Sequence, residues 1–278
     1  MMNVRILGAH RCESETSRCA SLLIDDTLAL DAGGLAATLP ISTQLGLKAI
    51  LLTHHHYDHI RDVPMVAINL FLHGASVGVY SSPAVRDLIQ THLLNGLLYP
   101  KFQEIPASKP TLRFQTISPS QSEVMIEGYR VLAIPVNHAD TTYGYQISNG
   151  DGQVVFYAAD TGPGLLECWK RVSAQTIIIE VTLPNRYEEF AISSAHLTPN
   201  LLSQELKRLR ELRGDLPRVI ITHLDPSLEG EIREEIAGVA EAIASPIMVA
   251  HEGMRLHLRD GSFSLTQSHI CGAKPFSV

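Results

Sequence analysis

Residues 53–60 read THHHYDHI, with four histidines and an aspartate directly after the apolar run Ala49, Ile50, Leu51 and Leu52. The run has the composition of a buried strand, so the imidazoles stand where a strand gives way to a loop. His54, His56, Asp58 and His59 have the spacing HxHxDH. In an extended segment residues two apart point the same way, so His54 and His56 converge on one point. Asp58 and His59 follow where the chain turns into a helix and can address a second point nearby. Neutral imidazole and carboxylate are ligands that zinc and similar divalent ions accept. His55 points away from such a centre.

One motif cannot complete two coordination spheres, and the chain supplies more groups downstream. The apolar stretch VLAIPVNH ends in His138, VVFYAAD ends in Asp160 and RVIITH ends in His223. Strand ends hold side chains rigidly, and a carboxylate can bridge two cations where an imidazole cannot. His54, His56 and His138 are therefore assigned to one ion, Asp58, His59 and His223 to the other, and Asp160 to both. Two ions about 3.5–4 Å apart with a shared water generate a hydroxide at neutral pH and clamp both oxygens of an in-line displacement. Asp58 counts on this reading among the catalytic groups as well as the ligands.

Composition bounds the remaining choices. The 278 residues are 45% hydrophobic and 18% charged, ordinary for a globular chain with a sizeable core. A formal net charge of −7 argues against extended nucleic acid as a partner, because such binding relies on basic surface. No apolar run approaches the roughly 20 residues of a membrane span, and MMNVRILGAH lacks a signal-peptide layout. The scattered Cys12, Cys19, Cys168 and Cys271 suit a reducing cytoplasm, and none belongs to a CxxC pair.

Short strands are expected at Val4–Gly8, Ala20–Ile24, Thr27–Asp31, Ala49–Thr53 and Val77–Ser81. A second set is expected at Leu112–Ile117, Glu123–Glu127, Tyr129–Val136, Thr142–Ser148, Gln153–Ala159, Thr176–Val181, Arg218–Thr222 and Ile247–Ala250. Turns fall at DDT and at NGDG, residues 149–152. Helices are expected after Asp58, from Ser82, near Gly164–Val172, from Pro199 with Thr198 as its cap, and over Pro226–Ala244. Strand clusters followed by β-then-α units in both halves predict one α/β (α+β) domain, residues 1–278, of two packed sheets with helices outside.

HxHxDH followed by the later His, Asp and His resembles the metallo-β-lactamase superfamily. The resemblance runs from LGAHRCESETSRCASLLIDDTLALDAGG to IMVAHEGMRLHL. It implies a four-layer αββα sandwich with the metals at one edge between the sheets. Asp160 stands in AADTG with no cysteine nearby, unlike the best-known β-lactamases, and His56 replaces the glutamate of flavodiiron-type members. IIIEVTLPN at 177–185 and SSAHLTP at 193–199 are similar to segments of ribonuclease Z and of class II cyclic-nucleotide phosphodiesterases, most of all the latter. By that resemblance Glu180 orients His196, and His196 contacts the scissile phosphate or protonates the leaving oxygen. A histidine held by a carboxylate is a sound general acid near neutral pH.

The motif continues IRDVPMVAI, with Arg61 and Asp62 in place of the small residues of the phosphodiesterases, so cyclic AMP itself does not follow. A salt bridge from Arg61 to Asp62 or a neighbour is the favoured reading over a phosphate contact. There is no long basic insertion of the kind that grips transfer RNA. The expectation is a cytoplasmic hydrolase with two divalent ions, zinc before manganese or iron, cleaving a phosphodiester in a small or cyclic nucleotide by a metal-bound hydroxide. An acyl hydrolase of thioesters or lactones is the alternative, ahead of a ribonuclease Z-like nuclease or a non-catalytic binder. The resemblance also makes a homodimer plausible. His10, His73, His92, His257 and His269 are expected in structural or surface roles, while His251 is a candidate to approach the site. Gly33 and Gly34 are expected to serve a turn needing positive φ.

Overall fold

The computed structural model describes residues 1–120, 122–139, 141–259 and 262–267, so the readings of His269 and Cys271 lie outside the described residues. The first strands are β1 (Met2–Gly8), β2 (Ser21–Ile24), β3 (Leu28–Leu30), β4 (Ala49–Leu51), β5 (Val77–Ser81) and β6 (Leu112–Thr116). Among them lie helices α1 (Leu35–Thr38), α2 (Ile41–Gly46), α3 (Tyr57–Ile60), α4 (Val63–Leu72) and α5 (Pro83–Leu88). Next come β7 (Val124–Ile126), β8 (Tyr129–Pro135), β9 (Tyr143–Ser148), β10 (Val154–Ala159), β11 (Thr176–Glu180) and β12 (Arg218–Thr222). They are interleaved with α6 (Leu166–Trp169), α7 (Glu188–Ser193) and α8 (Pro199–Arg213). The described part closes with α9 (Glu229–Ala242), β13 (Ile247–Val249), β14 (Met254–Arg259) and β15 (Ser262–Gln267).

The strands form two mixed sheets, ordered β15-β14-β1-β2-β3-β4-β5-β6 and β13-β12-β11-β10-β9-β8-β7. Three apolar layers hold the fold together, as four stacked layers of secondary structure require. The middle layer joins the sheets: Val4, Ile6, Leu22, Ile24 and Leu51 pack with Val131, Tyr145, Ile147, Val155 and Tyr157. One outer layer sets Leu7, Leu23, Ile50 and Val79 against Val63, Val66, Leu70 and Val85. The other sets Phe156, Ile177, Ile179 and Ile221 against Trp169, Leu202, Leu206, Leu209 and Ile236. Ile178 lies in the middle layer while its neighbours Ile177 and Ile179 lie in the outer one. A strand covered on both faces has no polar side, hence the unbroken apolar run of β11.

Local signals work as their chemistry dictates. Ser82 accepts the Val85 amide at 3.3 Å and Thr198 the Leu201 amide at 3.4 Å, each followed by a proline in the first turn. Asp25 and Asp26 both take left-handed φ, 44° and 55°, as the tight β2–β3 hairpin demands. Strand β4 ends at Leu51 rather than Thr53 because the Thr53 amide donates to Asp31 Oδ1 at 2.8 Å instead of to a neighbouring strand.

Topology fixes where a site can lie. Strands β3 to β6 run parallel in the first sheet, and β10 to β13 in the second. Their carboxyl ends therefore gather at one edge, the place where α/β sheets bind ligands. Strand β8, antiparallel to β9 as β9 is to β10, ends there too. The sheets are tied at this edge: the Tyr145 hydroxyl donates to the Leu52 carbonyl at 2.8 Å and the Tyr143 amide to that of Thr53 at 3.1 Å. No helix among the described residues is long and apolar enough to cross a membrane.

Candidate metal centre

Seven side chains that follow four strands meet at this edge. His54 and His56 follow β4, and Asp58 and His59 lie on the single turn of α3. His138 follows β8, Asp160 follows β10 and His223 follows β12. Ligand atoms of His54, His56, His138 and Asp160 lie within 4.8 Å of one another, as do those of Asp58, His59, Asp160 and His223. Asp160 is common to both groups. Its Oδ1 is 3.2 Å from His59 Nε2, and its Oδ2 is 3.2, 3.7 and 3.8 Å from the Nε2 atoms of His223, His54 and His138. Tetrahedral ligands bound at about 2.0–2.2 Å stand roughly 3.3–3.6 Å apart, so these separations suit ligands sharing an ion. His55 belongs to neither group.

Hydrogen bonding decides which ring nitrogens are free for a cation. The Thr53 hydroxyl donates to Asp31 at 2.9–3.0 Å, so at 3.0 Å it can only accept from His54 Nδ1–H. His59 Nδ1–H donates to Asp31 Oδ2 at 2.8 Å, and His138 Nδ1–H to the Ala195 carbonyl at 2.8 Å. Thr182, whose hydroxyl donates to Glu180 at 2.6 Å, accepts from His223 Nδ1–H at 2.8 Å. Each of these imidazoles thus turns its Nε2 toward the same space, with the tautomer set from behind. His56 Nδ1 and His138 Nε2 face each other at 3.2 Å.

A network built only for stability would not look like this. His54 Nε2, His59 Nε2 and Asp160 Oδ1 are buried without a hydrogen-bond partner. An unsatisfied buried polar atom costs about 1–3 kcal/mol, so three oppose folding by several kcal/mol. Cations held by these atoms would remove that cost, and the donor set of imidazoles and carboxylates matches zinc. The residues fit the group.

The electrostatics agree. Burial lowers the His59 pKa, but Asp160, Asp31 and Asp58 outweigh it and hold His59 well above an ordinary imidazole. Burial, then the neighbouring His59, keeps His54 well below. Burial likewise depresses His138 and His56. Desolvation would raise Asp160, but His223 and His59 hold it well below the carboxylate range. The concentrated negative charge that raises His59 is what attracts a cation.

Beside the ligands stand Glu180 and His196. Glu180, at the end of β11, is fully buried with both oxygens engaged. It accepts from the Thr161 amide at 2.9 Å, His196 Nδ1 at 2.6 Å, the Thr182 hydroxyl at 2.6 Å and the Leu197 amide at 3.2 Å. That satisfies the demand of a buried carboxylate for partners. Burial lowers the His196 pKa, yet Glu180's charge and hydrogen bond, with Asp160 behind, push it up to about 9. The His196 ring lies 4.8 Å from His138 and 5.6 Å from His223. All this borders an open cavity of about 470 Å³, lined by His56, Tyr57, Asp58, Asp160, His196 and His223 with Arg11, Arg61, Glu13 and two cysteines.

The family model of the beta-lactamase superfamily domain matches residues 23–224, which contain all seven of these histidines and aspartates. This chain belongs to the metallo-β-lactamase superfamily. Its fold is shared with unliganded yeast PDE1 at a TM-score of 0.79, with 18% identity over 92% of this chain and 99% of that one. YhfI from Bacillus subtilis gives a TM-score of 0.71, with 18% identity over 91% and 98%. The short form of human tRNase Z gives 0.67, with 18% identity over 92% and 99%. No curated protein sequence matches the chain.

Reading the superfamily pattern from the sequence leaves out the residues that stand behind the ligands. Asp31 receives His59, the Thr53 amide and hydroxyl and, at 3.0 Å, the Tyr157 hydroxyl. Thr53 and Thr182 set the tautomers of His54 and His223. The positive-φ expectation for Gly33 and Gly34 is wrong: in that turn Asp31 is the residue with left-handed φ, 57°. Gly33 is required by close approach, since a Cβ there would lie 2.0 Å from the Asp58 carbonyl oxygen. Gly33→Ala is therefore expected to cost about 1–3 kcal/mol of stability, read from the denaturant midpoint, because backbone beside Asp58 must move. Arg61 is engaged by Glu13 and, at 3.4 Å, by Asp62. His251 does not approach the cavity; its Nδ1 lies 3.0 Å from the Glu252 carbonyl. His10 is structural, held between Glu252 at 2.6 Å and Glu229 at 3.1 Å.

Proposed function

We propose that this chain is a metal-dependent hydrolase holding two divalent ions, zinc before manganese or iron, and cleaving phosphodiesters of small or cyclic nucleotides. His54, His56 and His138 would hold one ion, Asp58, His59 and His223 the other, with Asp160 shared. Bound there, the ions supply Lewis acidity that activates water and offsets charge on the phosphoryl oxygens. The chain's own groups do the rest. The Asp58 side chain, 26% exposed, faces the cavity and can accept a hydrogen bond that orients the attacking water. His196 is protonated at neutral pH and donates its proton to the departing alkoxide. Glu180 fixes the ring through Nδ1 and steadies its charge.

The observation that carries this reading is the His196–Glu180 pair at the cavity wall. Phosphodiester cleavage expels an alkoxide that needs a proton, whereas acyl transfer to a metal-polarised carbonyl depends less on such a group. Two proteins that share this fold, yeast PDE1 and a diphosphatase from the PhnP family, have names that lie in the same chemistry. A small-molecule substrate and a cytoplasmic location belong to the same proposal. The metal-loaded protein is expected to turn over bis(p-nitrophenyl) phosphate and a cyclic nucleotide, and to lose both activities to a chelator. Thioester or lactone hydrolysis faster by orders of magnitude would instead establish the acyl-hydrolase reading.

A further inference from the structure

The cavity wall carries two guanidinium groups, and they are not equivalent. Arg61 is paired inside the cavity with Glu13, which also lines it, and from behind with Asp62, which does not. Arg11 is held differently. Its Nε lies 3.0 Å from Asp225 Oδ2 in an ion pair, and Asp225 is nearly buried and stands outside the cavity lining. Asp225 is itself locked, its Oδ1 accepting the Ser227 amide at 2.9 Å and hydroxyl at 2.5 Å. The Arg11 backbone is pinned beside the candidate ligand His223: its amide donates to the Leu224 carbonyl at 3.1 Å, and the Leu224 amide to the Ala9 carbonyl at 3.0 Å. Arg11 thus presents to the cavity a positive charge whose counter-charge lies behind the wall. It lines the same cavity as His196.

We propose that Arg11, tethered by Asp225, forms a second anion subsite at the cavity mouth, and that the substrate is a phosphodiester whose leaving group carries a further phosphate or carboxylate. This rests on the phosphodiesterase reading above and sharpens it. A guanidinium paired with a carboxylate on one side still offers N–H groups suited to such an oxyanion. Metal ions would engage the scissile group, so Arg11 is left to recognise what departs with His196's proton.

Two substrates that differ in one charge per leaving group test it: diphenyl phosphate and bis(4-carboxyphenyl) phosphate. In the native protein, kcat/KM is expected to favour the carboxylated diester about tenfold, expressed in KM, the scale of one partly exposed charge-assisted contact. Arg11→Gln abolishes the preference, and Arg11→Lys, which keeps the charge but not the guanidinium, retains a reduced one. Calorimetric binding of the same two compounds reads the subsite without turnover. No preference in the native protein, or a preference unchanged in either variant, overturns the proposal. Absence of hydrolysis of both diesters would remove the phosphodiesterase reading, while the binding preference still decides the role of Arg11.

Discussion

Asp160→Asn is expected to strip the protein of both ions and to lower turnover on the order of a thousandfold or more. The substitution preserves volume and planarity, so packing at the end of β10 survives. What it removes is the one negative charge that lies within 3.2–3.8 Å of four imidazoles from both candidate ligand groups. An amide offers a single neutral oxygen and a nitrogen that cannot bind a cation, so the charge common to both candidate ligand groups is lost. Several kcal/mol of transition-state stabilisation are attributed to catalytic metal ions, and each 1.36 kcal/mol is a factor of ten in rate. Elemental analysis after reconstitution gives the metal content. Thermal unfolding with and without added zinc gives an independent reading, because a ligand that binds only the folded state raises Tm. The native protein should gain stability from zinc and the Asp160→Asn variant should not. A variant that retains two equivalents of metal and near-native turnover would end the shared-ligand assignment.

How much of this was open to reading from the chain alone follows from the physics of each group. The HxHxDH residues, His138, Asp160 and His223 announce themselves because apolar strands end in them, and a strand end is a place where direction is fixed by a short, rigid neighbour. Glu180 and His196 were reachable through the resemblance of IIIEVTLPN and SSAHLTP. Asp31 carries the same mark, closing the run Leu28–Leu30, yet it sits beside two glycines and reads as a turn. Thr53 and Thr182 carry no mark. A threonine becomes a tautomer-setting group only through the partner brought to it in space. Thr182, for example, serves Glu180 two residues away and His223 forty-one residues away. In the fold, α1 and α2 are too short for helical periodicity to register. Strand β14 went unread although Met254–Arg259 alternates buried and less buried positions along MRLHLR, a signal of period two. The constraint at Gly33 comes from a backbone oxygen of residue 58, which no local pattern contains.

His196→Ala should lower kcat for a cyclic nucleotide by about 10²–10⁴ while metal content stays unchanged, the range typical of a lost general acid. The same variant should lose less than about tenfold on bis(p-nitrophenyl) phosphate, whose leaving phenolate departs without needing a proton. This asymmetry separates the possible roles. If His196 mainly held a metal ion or kept the cavity in shape, both substrates would suffer together. His196 does lie near one ligand group, since Glu180, His196 and His223 also bring ligand atoms within 4.8 Å. Its Nδ1, however, is bonded to Glu180 at 2.6 Å, and Glu180 is already satisfied by three further donors, so the pair behaves as an oriented imidazole more than a free chelate. Glu180→Gln keeps the shape and removes the charge that, with its hydrogen bond, outweighs burial and raises His196 to about 9. The cyclic nucleotide should again be the substrate that suffers more, though by less than in His196→Ala, because the imidazole remains present but is more weakly protonated. Equal losses on both substrates in both variants, with metal retained, would assign the pair to positioning and return the acyl-hydrolase reading to first place.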